Sequence, residues 1–160
     1  NLLLRSNNLE LSAAVHLMLV FSTIYTVAAV VQRDGKFLLV EEETEAGLAF
    51  NQPAGHLEDG EALIDAVVRE TLEETAYHFR PTHIVGVYNW KRPEREITYL
   101  RFAFAGELHG YEAERKLDEG IVAARWLTPD EVRATATRHR SPLVLRCIED
   151  LLAGKHYPLD

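Results

Sequence analysis

The order of apolar and polar positions predicts strands first and helices later. Ile24 to Gln32 is apolar and rich in β-branched residues, and Phe37 to Glu41 forms a second strand-like run. Between them Arg33-Asp34-Gly35-Lys36 carries the Asp-Gly pair of a tight hairpin. Ala46 to Gln52 reads as a loop leading to a short extended segment at Pro53. Periodicity then changes to that of a helix from about Glu61 to Tyr77. Ile84 to Trp90 and Ile97 to Leu108 are strand-like, with the polar turn Lys91 to Arg95 between them. A charged loop, Gly110 to Gly120, precedes a short strand, Ile121 to Leu127.

Two helix starts follow. Thr128-Pro129-Asp130-Glu131 has the N-cap, the proline and the glutamate of a capping box. Ser141-Pro142 opens a helix reaching Ala153, with Gly154 as its stop. No internal repeat or long linker interrupts the pattern. The expected architecture is α/β (α+β), an α/β/α sandwich with a mixed sheet between helices.

The stretch Ala13 to Val31 is mostly apolar, which raises a membrane span or a signal peptide. Ser22, Thr23 and Thr26 interrupt it, and cleavage near Ala28 would remove a strand that the core needs. Met18 is the only methionine and the chain starts with Asn1. The expectation is therefore an upstream or vector-derived extension over 1–17 and a single domain over 18–160, which an intact mass from the native host tests.

The chain has 160 residues, 47% of them hydrophobic, which fits one globular domain and excludes a disordered or fibrous chain. Cys147 is the only cysteine, so intramolecular disulfides and multi-cysteine metal sites are excluded. A reducing, cytoplasmic setting fits that usage. The net charge is −8, which argues against a nucleic acid polymer as partner. Residues 41–77 hold eleven acids against one base, Arg69, a local charge of −10 beside +2 for the remainder.

Spacing gives that acidity a meaning. On an ideal helix from Glu61, at about 100° per residue, Glu70, Glu73 and Glu74 share one face within a turn. Ile64, Val68, Thr71, Leu72 and Thr75 fall on the opposite arc, and Asp65 and Arg69 mark a solvent-facing edge. Like charges so close repel, and they sit toward the helix C-terminus, the wrong end for anions. No lysine compensates. A hard divalent cation, Mg²⁺ or Mn²⁺, would resolve the conflict.

Gly55 to Tyr77 resembles the box of the Nudix hydrolases: Gly55, five residues, Glu61, seven residues, Arg69-Glu70, two residues, Glu73-Glu74. At roughly 7% abundance per residue, six fixed matches arise by chance about once in 10⁷ starting points. Two positions depart from the pattern. Thr71 stands where an aliphatic is usual, and Ala76 where a glycine usually ends the helix. Alanine in a left-handed cap costs about 1 kcal/mol or more, so the helix is expected to run past Tyr77 or to end differently.

The resemblance implies attack of water on phosphorus in a diphosphate-containing small molecule, with Mg²⁺ as cofactor and Mn²⁺ as substitute. It implies metal ligation by Glu70, Glu73 and Glu74 with the backbone carbonyl of Ala54 or Gly55. Glu70 is alternatively the general base. Where the base lies outside the box, Glu119 is the first candidate and Asp118 the second. By the same analogy Arg69 orients the carboxylates and Glu61 pairs with structure near the helix start. Outside the box, short runs such as Phe50 to His56 and Lys155 to Leu159 look like a bacterial phosphatase subfamily acting on nucleoside tri- and diphosphates and thiamine-type pyrophosphates.

For substrate, Arg101 on a strand is a candidate for bidentate phosphate binding. Lys91, Arg92 and Arg95 form a small basic turn, more readily explained as a solvated hairpin tip. Phe50, Tyr88, Trp90 and Tyr99 are candidates for ring stacking, with Trp90 favoured as a partly exposed platform and core packing the commoner fate of the others. Cleavage of ADP-ribose or dinucleotides is a second enzyme reading. A non-catalytic ligand-sensing module is a third, and retention of every box glutamate argues against it. Neither a membrane nor a nucleic acid is expected as partner, and the protein is expected to be a monomer or homodimer.

Overall fold

The computed structural model describes residues 22–160; the extension assigned to 1–17 and the start at Met18 lie outside the described residues. Eight strands appear in chain order: β1 Ser22–Val30, β2 Gln32–Arg33, β3 Lys36–Thr44, β4 Gly47–Asn51, β5 Ala54–His56, β6 Tyr77–Lys91, β7 Ile97–Tyr111 and β8 Ile121–Leu127. Helix α1, Leu63–Thr75, lies between β5 and β6, and α2, Pro129–Ala134, and α3, Leu143–Leu152, follow β8. A 3-10 turn, Ala136–Arg138, separates α2 from α3.

One sheet has the order β5-β1-β7-β6. It is mixed, since β1 runs parallel to β7 while the other neighbours are antiparallel. The second is antiparallel, with β3 between β4 and β8 and with β2 closing the Asp-Gly hairpin. Asp34 and Gly35 both have positive φ, 51° and 75°, as a primed two-residue hairpin turn requires.

Strand periodicity decides which helix covers which face. Val27, Ala29 and Val31, with Leu38 and Phe104, pack against Ala66 and Val67 of α1. Their neighbours Val30, Phe37, Leu39, Ala103 and Ala105 pack against Val132 of α2 and Val144, Cys147 and Ile148 of α3. Successive strand residues point to opposite faces, so this alternation makes two cores and an α/β/α sandwich.

The expected elements are present with shifted bounds. The run read as a loop at Ala46 to Gln52 contains β4, an edge strand without β-branched residues; its pairing with β3, including Glu41 with Phe50, is what makes it a strand. The capping box of α2 forms, with Glu131 N–H donating to Thr128 Oγ1 at 3.3 Å and Thr128 N–H to Glu131 Oε2 at 2.7 Å.

Helix α1 corrects two expectations. It starts two residues later than Glu61, and it ends at Thr75 rather than running past Tyr77. Ala76 takes the left-handed conformation itself, with φ 61° and ψ 10°, and its N–H donates to Leu72 O. Ala76 is buried and β6 begins at the next residue, so tertiary packing imposes the turn that a glycine would adopt freely.

Candidate active site

The carboxylates of α1 are not on a face opposite its buried one. Ala66, Val67, Glu70, Thr71, Glu74 and Thr75 make up the buried stripe, while Ile64, expected inside, is 40% exposed. Glu70 and Glu74 thus point into the protein, toward β5. Glu74 Oε2 accepts the Ala54 N–H at 2.9 Å. The Glu70 carboxyl lies against Gly55 so closely that a Cβ there would collide with it. This close approach explains the glycine: α1 and β5 meet with a carboxylate where any other side chain would stand.

Arg69 is not a solvent-facing edge residue either. Its guanidinium joins Glu61 at 2.8 and 2.9 Å, Glu70 at 2.8 Å and Glu73 at 3.0 Å, and donates to the His56 carbonyl at 3.1 Å. Glu61 lies just before α1 and also accepts the Glu58 N–H at 3.1 Å. One arginine therefore supplies the compensation that the acids seemed to lack, and ties the loop ahead of α1 to the acidic face.

Glu74 remains outside that compensation. Burial pushes its carboxyl up to about 8, opposed by the Ala54 N–H and reinforced by the nearby charges of Glu70, Glu42 and Asp118. Burial also raises Glu70, with Arg69 pulling it back. Glu61 is held low by its Arg69 hydrogen bonds.

Asp118, the second candidate for a base outside the box, is joined to the box through its backbone and its charge. Asp118 N–H donates to Glu73 O at 3.1 Å, and its charge raises both Glu70 and Glu74. Glu119, the first-choice base, is exposed on the same loop, as Asp118 is, and is not among the charges that raise Glu70 and Glu74. The loop is pinned to α1 through the Asp118 amide and turns at Gly120, which has φ 86°.

A cavity of about 260 Å³ opens beside β5. Ala54, Gly55 and His56 form one wall, continuous with the acidic cluster behind them. Trp90 and Tyr99 form another; they are cross-strand partners on β6 and β7 with stacked rings, centroids 5.7 Å apart. Arg92, Arg101 and Arg140 supply positive charge, and Thr26, Glu42, Asn51 and Ser141 add further polar groups. Arg101 is 7% exposed, and its Nη1 and Nη2 donate to Gln52 Oε1 and Asn51 Oδ1 at 3.1 and 3.3 Å.

Phe50 is corrected from a stacking candidate to a core residue. Its ring is buried in the α3-side core and covered by the Arg138 guanidinium at 4.6 Å, so no ring face is open to a ligand. Tyr88 likewise packs on the core, and its hydroxyl donates to Asp150 at 3.0 Å. Sequence reasoning missed Thr26, Glu42, Asn51, Gln52 and Arg140, for which spacing carries no signal.

Among the described residues no three His, Cys, Asp or Glu side chains form a group that could hold a metal ion as they stand. The donor chemistry nevertheless suits a hard cation: Glu70 and Glu74 are buried, oxygen-bearing and mutually repelling, with Glu42 and Asp118 adding to the repulsion.

Comparisons with known proteins agree with this geometry. A family model described as NUDIX domain matches residues 23–147. Phosphatase NudJ of Escherichia coli K12 is 40% identical over 140 residues, 88% of this chain and 90% of that protein. The solved structure of a NUDIX hydrolase from Nitrosomonas europaea superposes with TM-score 0.84 at 51% identity, covering 87% of this chain and 95% of the other. An ADP-ribose pyrophosphatase from Streptococcus suis, at 19% identity and TM-score 0.60 over 84% of this chain and 95% of its own, shares the fold.

Proposed function

The chain belongs to the NUDIX family and is a hydrolase of that family, and we propose that it is a Mg²⁺-dependent pyrophosphohydrolase acting on nucleoside tri- and diphosphates or thiamine-type pyrophosphates. One observation carries this reading: a cavity with stacked aromatics and arginines shares the β5 wall with a buried, repelling set of carboxylates. The cavity suits an aromatic ring with its adjoining phosphate, and the carboxylates suit the cation that a diphosphate requires. The name of the E. coli relative, a phosphatase, points the same way.

Glu70, Glu73 and Glu74, with a backbone carbonyl of Ala54 or Gly55, would hold Mg²⁺, with Mn²⁺ as substitute. Bound there, the cation supplies positive charge to the polyphosphate and to the attacking water. Every other part falls to the chain itself. Arg69 orients Glu70 and Glu73 and steadies the loop through Glu61 and the His56 carbonyl. Arg101, presented by Asn51 and Gln52, offers a fixed cation to a phosphate. Trp90 offers a ring face. The proton acceptor is Glu70 or Asp118. A small diphosphate is the proposed partner.

The test is release of inorganic phosphate from NTPs, NDPs and thiamine pyrophosphate, and of monophosphates from ADP-ribose, with and without Mg²⁺. Turnover of nucleoside or thiamine-type substrates that stops with EDTA is expected. Glu73→Gln and Glu74→Gln should each lower kcat by about a hundredfold or more with an unchanged circular dichroism spectrum, because a lost ligand forfeits several kcal/mol of charge stabilisation. Near-wild-type kcat in either variant would refute the ligand assignment. Products from ADP-ribose alone would make it an ADP-ribose pyrophosphatase, and no turnover of any compound would make it a ligand-sensing module.

A further inference from the structure

The arginines of the chain divide by what they hold. Arg69, Arg80, Arg115, Arg125, Arg133 and Arg146 each reach a carboxylate within 3.1 Å. Arg33 lies over the Trp126 ring, and Arg101 donates to the Asn51 and Gln52 amides. Arg92, Arg95 and Arg140 are held more loosely. Arg92 Nε donates at 3.4 Å to Glu94, an exposed neighbour two residues along. Arg95 stands 3.9 Å from Glu45, whose side chain is 96% exposed. Arg140 Nε stands 3.4 Å from Glu42 Oε1 without hydrogen-bond geometry.

These three loosely held arginines meet at one place. With Arg138, Glu43 and Glu45 they line an open cleft of about 550 Å³. Four arginines against two glutamates make it a positive region in a chain of net charge −8. Two distant segments supply them, and each is fixed by its backbone. In the β6–β7 hairpin, Arg92 N–H donates to Ile97 O at 3.1 Å and Arg95 N–H to Arg92 O at 3.2 Å. Ahead of α3, Arg140 N–H donates to Phe50 O at 2.8 Å, and Arg138 is held by the Phe50 ring and by Glu41. The basic hairpin tip, which reads as solvated in the sequence, is thus one wall of a cleft.

Arg92 and Arg140 also line the cavity beside β5, so the two spaces adjoin. Among the described residues none of β5 lines the cleft, which sets it apart from the carboxylates of α1. A guanidinium donates from a rigid fork that matches the oxygens of a phosphate, and several converging forks suit a dianion. We propose that the cleft is a phosphate subsite beside the active site, in which Arg95 and Arg140, with Arg92 at the shared rim, take a phosphate other than the one attacked. Two sources have this chemistry: a further phosphate carried by the substrate, such as one on a nucleotide's ribose, and free phosphate. The first rests on the pyrophosphohydrolase reading and extends it to substrates with a second anionic group.

Calorimetry on the metal-free protein at low ionic strength tests the subsite without turnover. The probes are adenosine 5′-monophosphate, its 2′- and 3′-phosphorylated forms, and inorganic phosphate. A substrate-borne phosphate makes the better bisphosphate bind about tenfold or more tighter than the monophosphate, as expected for bonds between charged groups. Arg95→Gln and Arg140→Gln should each cut that ratio by about threefold or more. Arg80→Gln, which removes a charge from β6 outside the cleft, should leave it in place. If free phosphate is the occupant, the ratio stays near one, and it is the affinity for inorganic phosphate that falls in Arg95→Gln and Arg140→Gln but not in Arg80→Gln. Neither pattern, or equal losses in all three variants, overturns the proposal, because only net charge is then sensed. Hydrolysis of adenosine diphosphate with and without the ribose phosphate separates the two readings. If neither compound is hydrolysed while the bisphosphate keeps its Arg95-dependent advantage, the hydrolytic reading fails and the subsite stands.

Discussion

Asp118 and Glu119 are adjacent acids on one loop, yet only Asp118 is tied to the carboxylate cluster. Its amide donates to Glu73 O and its charge is felt by both Glu70 and Glu74. If a group outside the box takes the proton from water, the backbone anchor and the charge coupling favour Asp118 over Glu119. Asp118→Asn should lower kcat by about tenfold or more, toward the range of general-base losses, and Glu119→Gln should leave it within about twofold. Steady-state phosphate release decides it, and the reverse ranking would restore Glu119. The sequence could not separate the two, because it does not show which amide anchors the loop to α1. The same limit applies to Phe50, Trp90 and Tyr99. Composition marks all three as aromatic, but only the strand pairing puts Trp90 and Tyr99 on a cavity and Phe50 under Arg138. Box residues were legible because the catalytic pattern is local. Glu42, Thr26 and Gln52 were not, because they meet the site across two sheets.

Helix α1 carries that local pattern, and its C-terminus is where sequence and structure disagree most usefully. Ala76 adopts φ 61° with its N–H bonded to Leu72 O, the conformation a glycine takes without cost. An L-residue there bears about 1–2 kcal/mol of strain. Ala76→Gly should relieve that strain, less what the glycine adds to the freedom of the unfolded chain. The net gain is about 0.5–1 kcal/mol, or a rise of roughly 1–4 °C in Tm. A thermal melt of the metal-free protein checks this. A fall in Tm would mean that the buried Ala76 methyl contributes more to packing than its backbone costs. The other elements were legible to differing degrees for physical reasons. The Asp-Gly hairpin and the Thr128 capping box are local and appear where expected. The edge strand β4 was not legible because nothing in Gly47–Asn51 favours extension until β3 pairs with it.

Across the molecule, part of the acidic excess of residues 41–77 is met by arginines from elsewhere in the chain and part by Arg69 within it. Glu41 joins Arg138 at 2.7 Å and Arg125 at 3.1 Å, bridging β3 to β8 and to the 3-10 turn. Arg140 stands beside Glu42, and Arg69 serves Glu61, Glu70 and Glu73 from within the segment. Read linearly, the segment is a block of −10; folded, the buried Glu74 is met by the Ala54 backbone N–H rather than by an arginine. The Glu41 network makes a pH prediction with a definite sign. Its hydrogen bond to Arg138, then those to Arg125, hold the Glu41 carboxyl below its ordinary value against the opposing effect of burial. An acid with a depressed folded pKa stabilises above its unfolded value and loses that contribution as pH falls through the folded one. Glu41→Gln should therefore lower stability near neutral pH, by about 1 kcal/mol for a network of partly exposed pairs. Wild type and variant should converge as pH drops below the ordinary glutamate range, where the wild-type carboxyl is protonated and its ion pairs are gone. Urea midpoints measured from neutral to acid pH test this. A constant difference at all pH values would assign the effect of Glu41 to packing between β3 and β8 rather than to its charge.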